Sequence, residues 1–166
     1  MKNKIVVALG KKLMSLGKYK ICIVDDEKAY FTKPMVQAAK KAGFSVIDRY
    51  YSVDKKLLTK FQNNHYDLII LDVRGSTEED IAKDGIELAV MLKRTTPCCI
   101  AITSAHQFYL RNKMKDIDYV IENRTLTVTD FIDTINDVVT YSLDKHYTFY
   151  KKIIFRVGFT LAKQNI

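Results

Sequence analysis

At 166 residues, with 48% hydrophobic and 28% charged residues, the chain has the composition of one globular domain rather than of a disordered or membrane-embedded polymer. No apolar run approaches the roughly 20 residues of a spanning helix, and the early run IVVALG ends at Lys11 and Lys12, too short for a secretory leader. The net charge of +8 is unevenly placed: residues 1–20 hold six lysines and 145–166 five basic residues, both without an acid.

The middle, 21–144, therefore carries 16 basic against all 19 acidic residues, a net −3. This divides the chain into a basic N-terminal extension (1–19), a domain (20–144) and a basic C-terminal segment (145–166). In the first, Ile5, Val6, Leu9, Leu13, Met14 and Leu16 recur among lysines at near-helical spacing. In the last, Phe149, Ile153, Ile154, Val157 and Leu161 form a similar stripe.

Between these ends strands and helices alternate. Lys20–Val24 is predicted as a strand, followed by a helix from Ala29 to Ala42 that Gly43 stops. Ser45–Asp48 reads as a strand, and Val53–Asn64 as a helix with Leu57, Leu58 and Phe61 on one side. Asp67–Asp72 is the most apolar strand, Asp84–Arg94 a helix, and Cys98–Ile102 a strand after Pro97. His106–Met114 is predicted helical, Tyr119–Ile121 a short strand, and Thr127–Ser142 a helix with Phe131, Ile132, Ile135, Val138 and Val139 on one stripe. Five such units in this order imply an α/β fold with a parallel sheet covered by helices on both faces.

Several of these strands end in chemistry. IVDDE closes on the pair Asp25/Asp26, LIILDV contains Asp72, and AITS ends in Thr103 and Ser104. Ligands gather where the carboxyl ends of parallel strands open into a crevice. Three carboxylates there are costly without a cation, so a divalent ion, Mg2+, is expected. Cys22, Cys98 and Cys99 are odd in number, lie in apolar runs and have no metal-ligand spacing to any histidine. They read as core thiols in a reducing compartment, hence a cytoplasmic protein.

In order and spacing these motifs resemble the response-regulator receiver domain of two-component signalling, over residues 20–144. The resemblance implies a flavodoxin-like, doubly wound five-stranded sheet of order 2-1-3-4-5. It implies that Asp72 accepts a phosphoryl group from a histidine kinase or phosphotransfer protein. Asp25 and Asp26 would hold Mg2+ with Asp72 and the backbone carbonyl of Arg74. Thr103 would hydrogen-bond the phosphoryl group, and Tyr119 would change rotamer. A divalent cation makes the crowded negative charge of an aspartyl phosphate tolerable.

Two departures stand out. Asp84-Gly85 arrives later after Asp72 than in that family, behind the acidic stretch RGSTEEDIAK, which reads as a surface insertion or as a reshaped mouth that selects a partner. More consequentially, the family's lysine, three residues after the strand-five aromatic, is here Glu122. A carboxylate at ~5 Å from a phosphoryl group costs on the order of 3 kcal/mol at an effective dielectric of 20. Arg124 and Lys83 are the candidate replacement cations.

Two functional readings stay open. One is an atypical receiver, phosphorylated at Asp72, that signals through an unknown downstream protein. The other is a degenerate receiver that binds partners without phosphoryl transfer. An enzyme is not expected: dehalogenase-like phosphatases need a second acid two residues after the nucleophile, and that position is Arg74. The basic ends are expected to be helices packed on the acidic domain, apart from each other because like charges repel, and to support a homodimer. The rival readings are an anionic membrane surface and nucleic acid, the latter disfavoured because no helix-turn-helix fits in 22 residues.

Overall fold

The apolar runs become strands of a single all-parallel sheet in the computed structural model, which describes residues 2–16, 19–44, 46–103, 117–122, 126–146 and 149–163. The strands are β1 (Lys20–Val24), β2 (Val46–Tyr50), β3 (Leu68–Asp72), β4 (Cys99–Thr103) and β5 (Tyr119–Ile121), in the order β2-β1-β3-β4-β5. The expected order is thus the observed one. β3 and β4 are buried at all five positions, as central strands covered on both faces must be.

The helices are α1 (Lys2–Leu16), α2 (Lys33–Ala42), α3 (Lys55–Gln62), α4 (Gly85–Thr95), α5 (Val128–His146) and α6 (Phe149–Ala162). Side chains alternating across the strands divide the interior in two. Ile21, Ile23, Leu68 and Ile70 face α2 and α5, against Ala39, Phe131, Ile135 and Val139. Cys22, Val24, Ile69 and Leu71 face α3 and α4, against Leu57, Phe61, Leu88 and Leu92.

Local chemistry sets the helix starts. Asp54 accepts from the Leu57 N–H at 2.7 Å and Asp84 from the Glu87 N–H at 2.8 Å, so each acid caps its helix rather than belonging to it. The α2 helix starts at Lys33, four residues later than its sequence predicts. Phe31 takes a positive φ of 46°, breaking the helical path, and Pro34 then opens the first turn. The predicted helix His106–Met114 lies outside the described residues.

The terminal segments are helical as expected, but their packing corrects the expectation that like charge keeps them apart. α1 packs along α6 more extensively than any other two helices pack among the described residues. Gly10 makes this approach possible: a Cβ there would lie 2.6 Å from the Gly158 carbonyl oxygen and 2.5 Å from the Ala162 nitrogen. Packing at backbone contact outweighs the repulsion between two helices of like charge, which solvent and salt screen around exposed side chains such as Lys4 and Lys12. α6 in turn anchors the pair, with Phe159 5.8 Å from Phe44 and ion pairs from Arg156 to Asp144 and Lys163 to Asp133 on α5.

Candidate functional site

The carboxyl ends of β1 and β3 bring the acidic residues together. Carboxylate oxygens of Asp25, Asp26 and Asp72 lie within 4.8 Å of one another, with Asp25 and Asp72 buried and Asp26 exposed. Adjacent pairing makes this unavoidable: Val24 is in register with Leu71, so the residues that follow them share one end of the sheet. Two buried carboxylates and a third within reach repel in a poorly solvated crevice. An oxygen-rich cluster of this size and charge suits a hard divalent cation such as Mg2+.

Thr103 joins the cluster. It pairs in register with Asp72, its carbonyl accepts from the Val73 N–H at 3.3 Å, and it is fully buried. Its Oγ1 has no hydrogen-bond partner among the described residues. A buried hydroxyl without a partner is rare because its desolvation is uncompensated, and this one stands beside the central carboxylate.

The loop after Asp72 is built into the fold. Ser76 is buried and donates to the Asp72 carbonyl at 2.6 Å, while the Arg74 N–H approaches Asp72 Oδ2 at 3.3 Å. Thr77 forms an isolated parallel bridge with Val53, the Val53 N–H donates to the Ser76 carbonyl at 2.9 Å, and Ala82 is buried. An exposed ion pair of 2.7 Å joins Asp80 to Lys55 on α3. The stretch is thus tied to Asp72 and to α3, while Arg74, Gly75, Glu78, Glu79, Asp80 and Lys83 stay exposed, as a surface insertion would have them.

The remaining sequence candidates sit further out. Tyr119 is half-buried, its ring edge-on to Tyr141 at 5.3 Å, and burial first, then Asp137 and Glu122, push its hydroxyl pKa up. Glu122 is exposed and directly follows Ile121, the partner of Thr103 in register. Lys83 is exposed and its backbone N–H donates to Glu87 at 2.7 Å. Ser104 and Arg124 lie outside the described residues.

Sequence reasoning missed Arg49. Its Nη2 donates to the carbonyls of Asp25 (3.2 Å), Glu27 (2.7 Å) and Tyr30 (3.2 Å), gathering the segment that carries both β1 acids. The guanidinium also lies 4.5 Å from the Tyr51 ring centroid. This bracing coincides with the positive φ of Phe31, whose buried ring contacts Phe131 at 5.7 Å. The available signal was an arginine directly after the predicted strand Ser45–Asp48, followed by Tyr50 and Tyr51. Asp118 was missed as well: buried, ion-paired with Lys93, and accepting from the Ile100 N–H at 3.0 Å, it holds the opposite end of β5.

No family model matches the chain, and no curated protein matches it by sequence. Solved structures do. A response regulator receiver domain protein from Methanospirillum hungatei JF-1 is 16% identical, with a TM-score of 0.60 over 76% of this chain and 98% of that one. A two component transcriptional regulator from Clostridium phytofermentans ISDg is 21% identical, with a TM-score of 0.57 over 76% of this chain and 96% of that one. A response regulator from Burkholderia pseudomallei, solved with a phosphorylated aspartic acid and a calcium ion, is 13% identical, with a TM-score of 0.55 over 76% and 71%. Sheet order, strand-end acids and these neighbours agree: the chain has the fold of a response-regulator receiver domain.

Proposed function

We propose that residues 20–144 form an atypical receiver that accepts a phosphoryl group on Asp72 and passes the signal to a protein partner. The observation that carries this reading is the meeting of three carboxylates with the unpartnered hydroxyl of Thr103. An Asp72 carboxylate oxygen attacks phosphorus in line, the P–N bond of a partner's phosphohistidine breaks, and the imidazole leaves with the electron pair. Asp25, Asp26, Asp72 and the Arg74 carbonyl would hold Mg2+, which supplies charge neutralisation for the incoming oxygens. Thr103 donates to a phosphoryl oxygen, relieving its own unsatisfied state, and Tyr119 reports the change by its rotamer. The donor is a histidine kinase or phosphotransfer protein, and the domain acts as a signalling module rather than as an enzyme. Three buried free thiols, Cys22, Cys98 and Cys99, support a reducing, cytoplasmic setting.

Glu122 favours a second reading, a degenerate receiver that binds its partner without phosphorylation. Labelling with acetyl phosphate and Mg2+ separates the two. The native chain should label slowly at Asp72, and Glu122→Lys should label faster by about tenfold or more: Glu122 is exposed, so solvent screening leaves only part of the ~3 kcal/mol repulsion, and removing ~1.4 kcal/mol gives that factor. Labelling of neither protein, with a folded site, supports the phosphorylation-independent module. Equal, rapid labelling of both shows that another cation already compensates for Glu122.

A further inference from the structure

We infer that α1 and α6 together form a docking face for an anionic lipid surface. The pair leaves four large apolar side chains in water: Ile5 is 71% exposed, Leu9 51%, and Ile153 and Val157 45% each. Elsewhere among the described residues only Tyr51 and Val128 are large, apolar and comparably exposed.

These four side chains lie on one side of the pair. On α6, Arg156 meets Asp144 and Lys163 meets Asp133, so α6 runs antiparallel to α5 and begins near the end of α5. Tyr19, just past α1, hydrogen-bonds Ser142 at that same end. α1 therefore ends where α6 begins, and the two helices are antiparallel. Gly10 of α1 abuts Gly158 of α6. Ile5 and Leu9 each precede by one residue the line of Val6 and Gly10. Ile153 and Val157 each precede by one the line of Ile154 and Gly158. Equal offsets of the same sense fall on the same side of an antiparallel pair.

Charge selects the occupant. Neither helix contains an acidic residue, and exposed Lys4 and Lys12 flank Ile5 and Leu9. A second copy of the face would set lysines against lysines, whereas an anionic headgroup layer complements them while its acyl boundary takes the apolar side chains. No described helix is long and apolar enough to cross a membrane, so the pair lies on the surface. Neither helix contributes to the Asp25/Asp26/Asp72 cluster, so the inference is independent of phosphorylation.

Co-sedimentation of the full chain with phosphatidylcholine vesicles, with and without 30% phosphatidylglycerol, tests this, alongside Leu9→Ser/Val157→Ser and Lys4→Glu/Lys12→Glu variants checked by circular dichroism. These positions are exposed, so folding should persist. The expected result is sedimentation with anionic vesicles only, weakened at least tenfold by either variant and by 0.5 M salt. Failure to sediment with anionic vesicles overturns the inference, as does equal binding to neutral ones. A dimer in sedimentation velocity that Leu9→Ser/Val157→Ser dissociates, without vesicle binding, assigns the face to a second copy instead.

Discussion

Gly75 lies directly against the Asp26 carboxylate. Its φ is +67°, a conformation that side chains rarely adopt, and a Cβ there would fall 2.5 Å from Asp26 Cγ. The first turn of the long loop is therefore shaped around one member of the acidic trio. Gly75→Ala must move either the loop or Asp26, and should weaken Mg2+ affinity by about tenfold while costing roughly 1 kcal/mol of stability. Tyrosine fluorescence titration and urea unfolding measure the two effects. Unchanged affinity would show that Asp26 does not need its present position.

Asp72→Asn removes one charge from a cluster whose oxygens lie within 4.8 Å. Like charges at that spacing repel by about 3 kcal/mol at an effective dielectric of 20. Because Asp26 reaches solvent, the net gain on substitution should be nearer 1 kcal/mol. In metal-free buffer the variant is expected to unfold at higher urea concentration than the native chain, and to bind Mg2+ more weakly. A destabilised variant would mean that the cluster is already compensated.

Arg49→Met takes away three hydrogen bonds to the backbone of residues 25–30 and the stacking on Tyr51. A loss of about 1–3 kcal/mol in stability is expected. If Arg49 positions the acids, Mg2+ affinity should fall as well, under conditions where the variant is fully folded. A stability loss alone would reduce Arg49 to a structural brace.

Asp130 and Thr127 close the start of α5 reciprocally: the Thr127 hydroxyl donates to Asp130 at 2.6 Å, and the Asp130 N–H donates back at 3.2 Å. The side-chain bond first, then the Thr127 backbone N–H, lowers the Asp130 pKa below its usual 3.8. A carboxylate with a depressed folded pKa stabilises the fold above its unfolded pKa, and that contribution fades as pH falls through the folded one. The difference in Tm between the native chain and Asp130→Ala should therefore be largest near neutrality and shrink below pH 3.8. A difference independent of pH would place the effect in helix propensity instead.

The sequence by itself determined the sheet and the inner acids. Continuous apolar runs such as LIILD and CIAIT are what fully buried parallel strands require, and a polar residue that stops such a run marks a strand end. Given the order of the units, Asp25, Asp26, Asp72 and Thr103 had to share one end of the sheet. Only the tertiary structure decided what surrounds them. Arg49 reaches three carbonyls of a loop some twenty residues earlier, and Ser76 and Gly75 fold an apparent insertion onto Asp72 and Asp26. The Arg49 and Ser76 bonds end on backbone carbonyls, which carry no residue-type signature, and the Gly75–Asp26 approach joins segments some fifty residues apart. The terminal helices show the same division. Periodicity marked their apolar stripes, but which half of each stripe is buried depends on Gly10 and Gly158 meeting, a match of shape between segments nearly 150 residues apart.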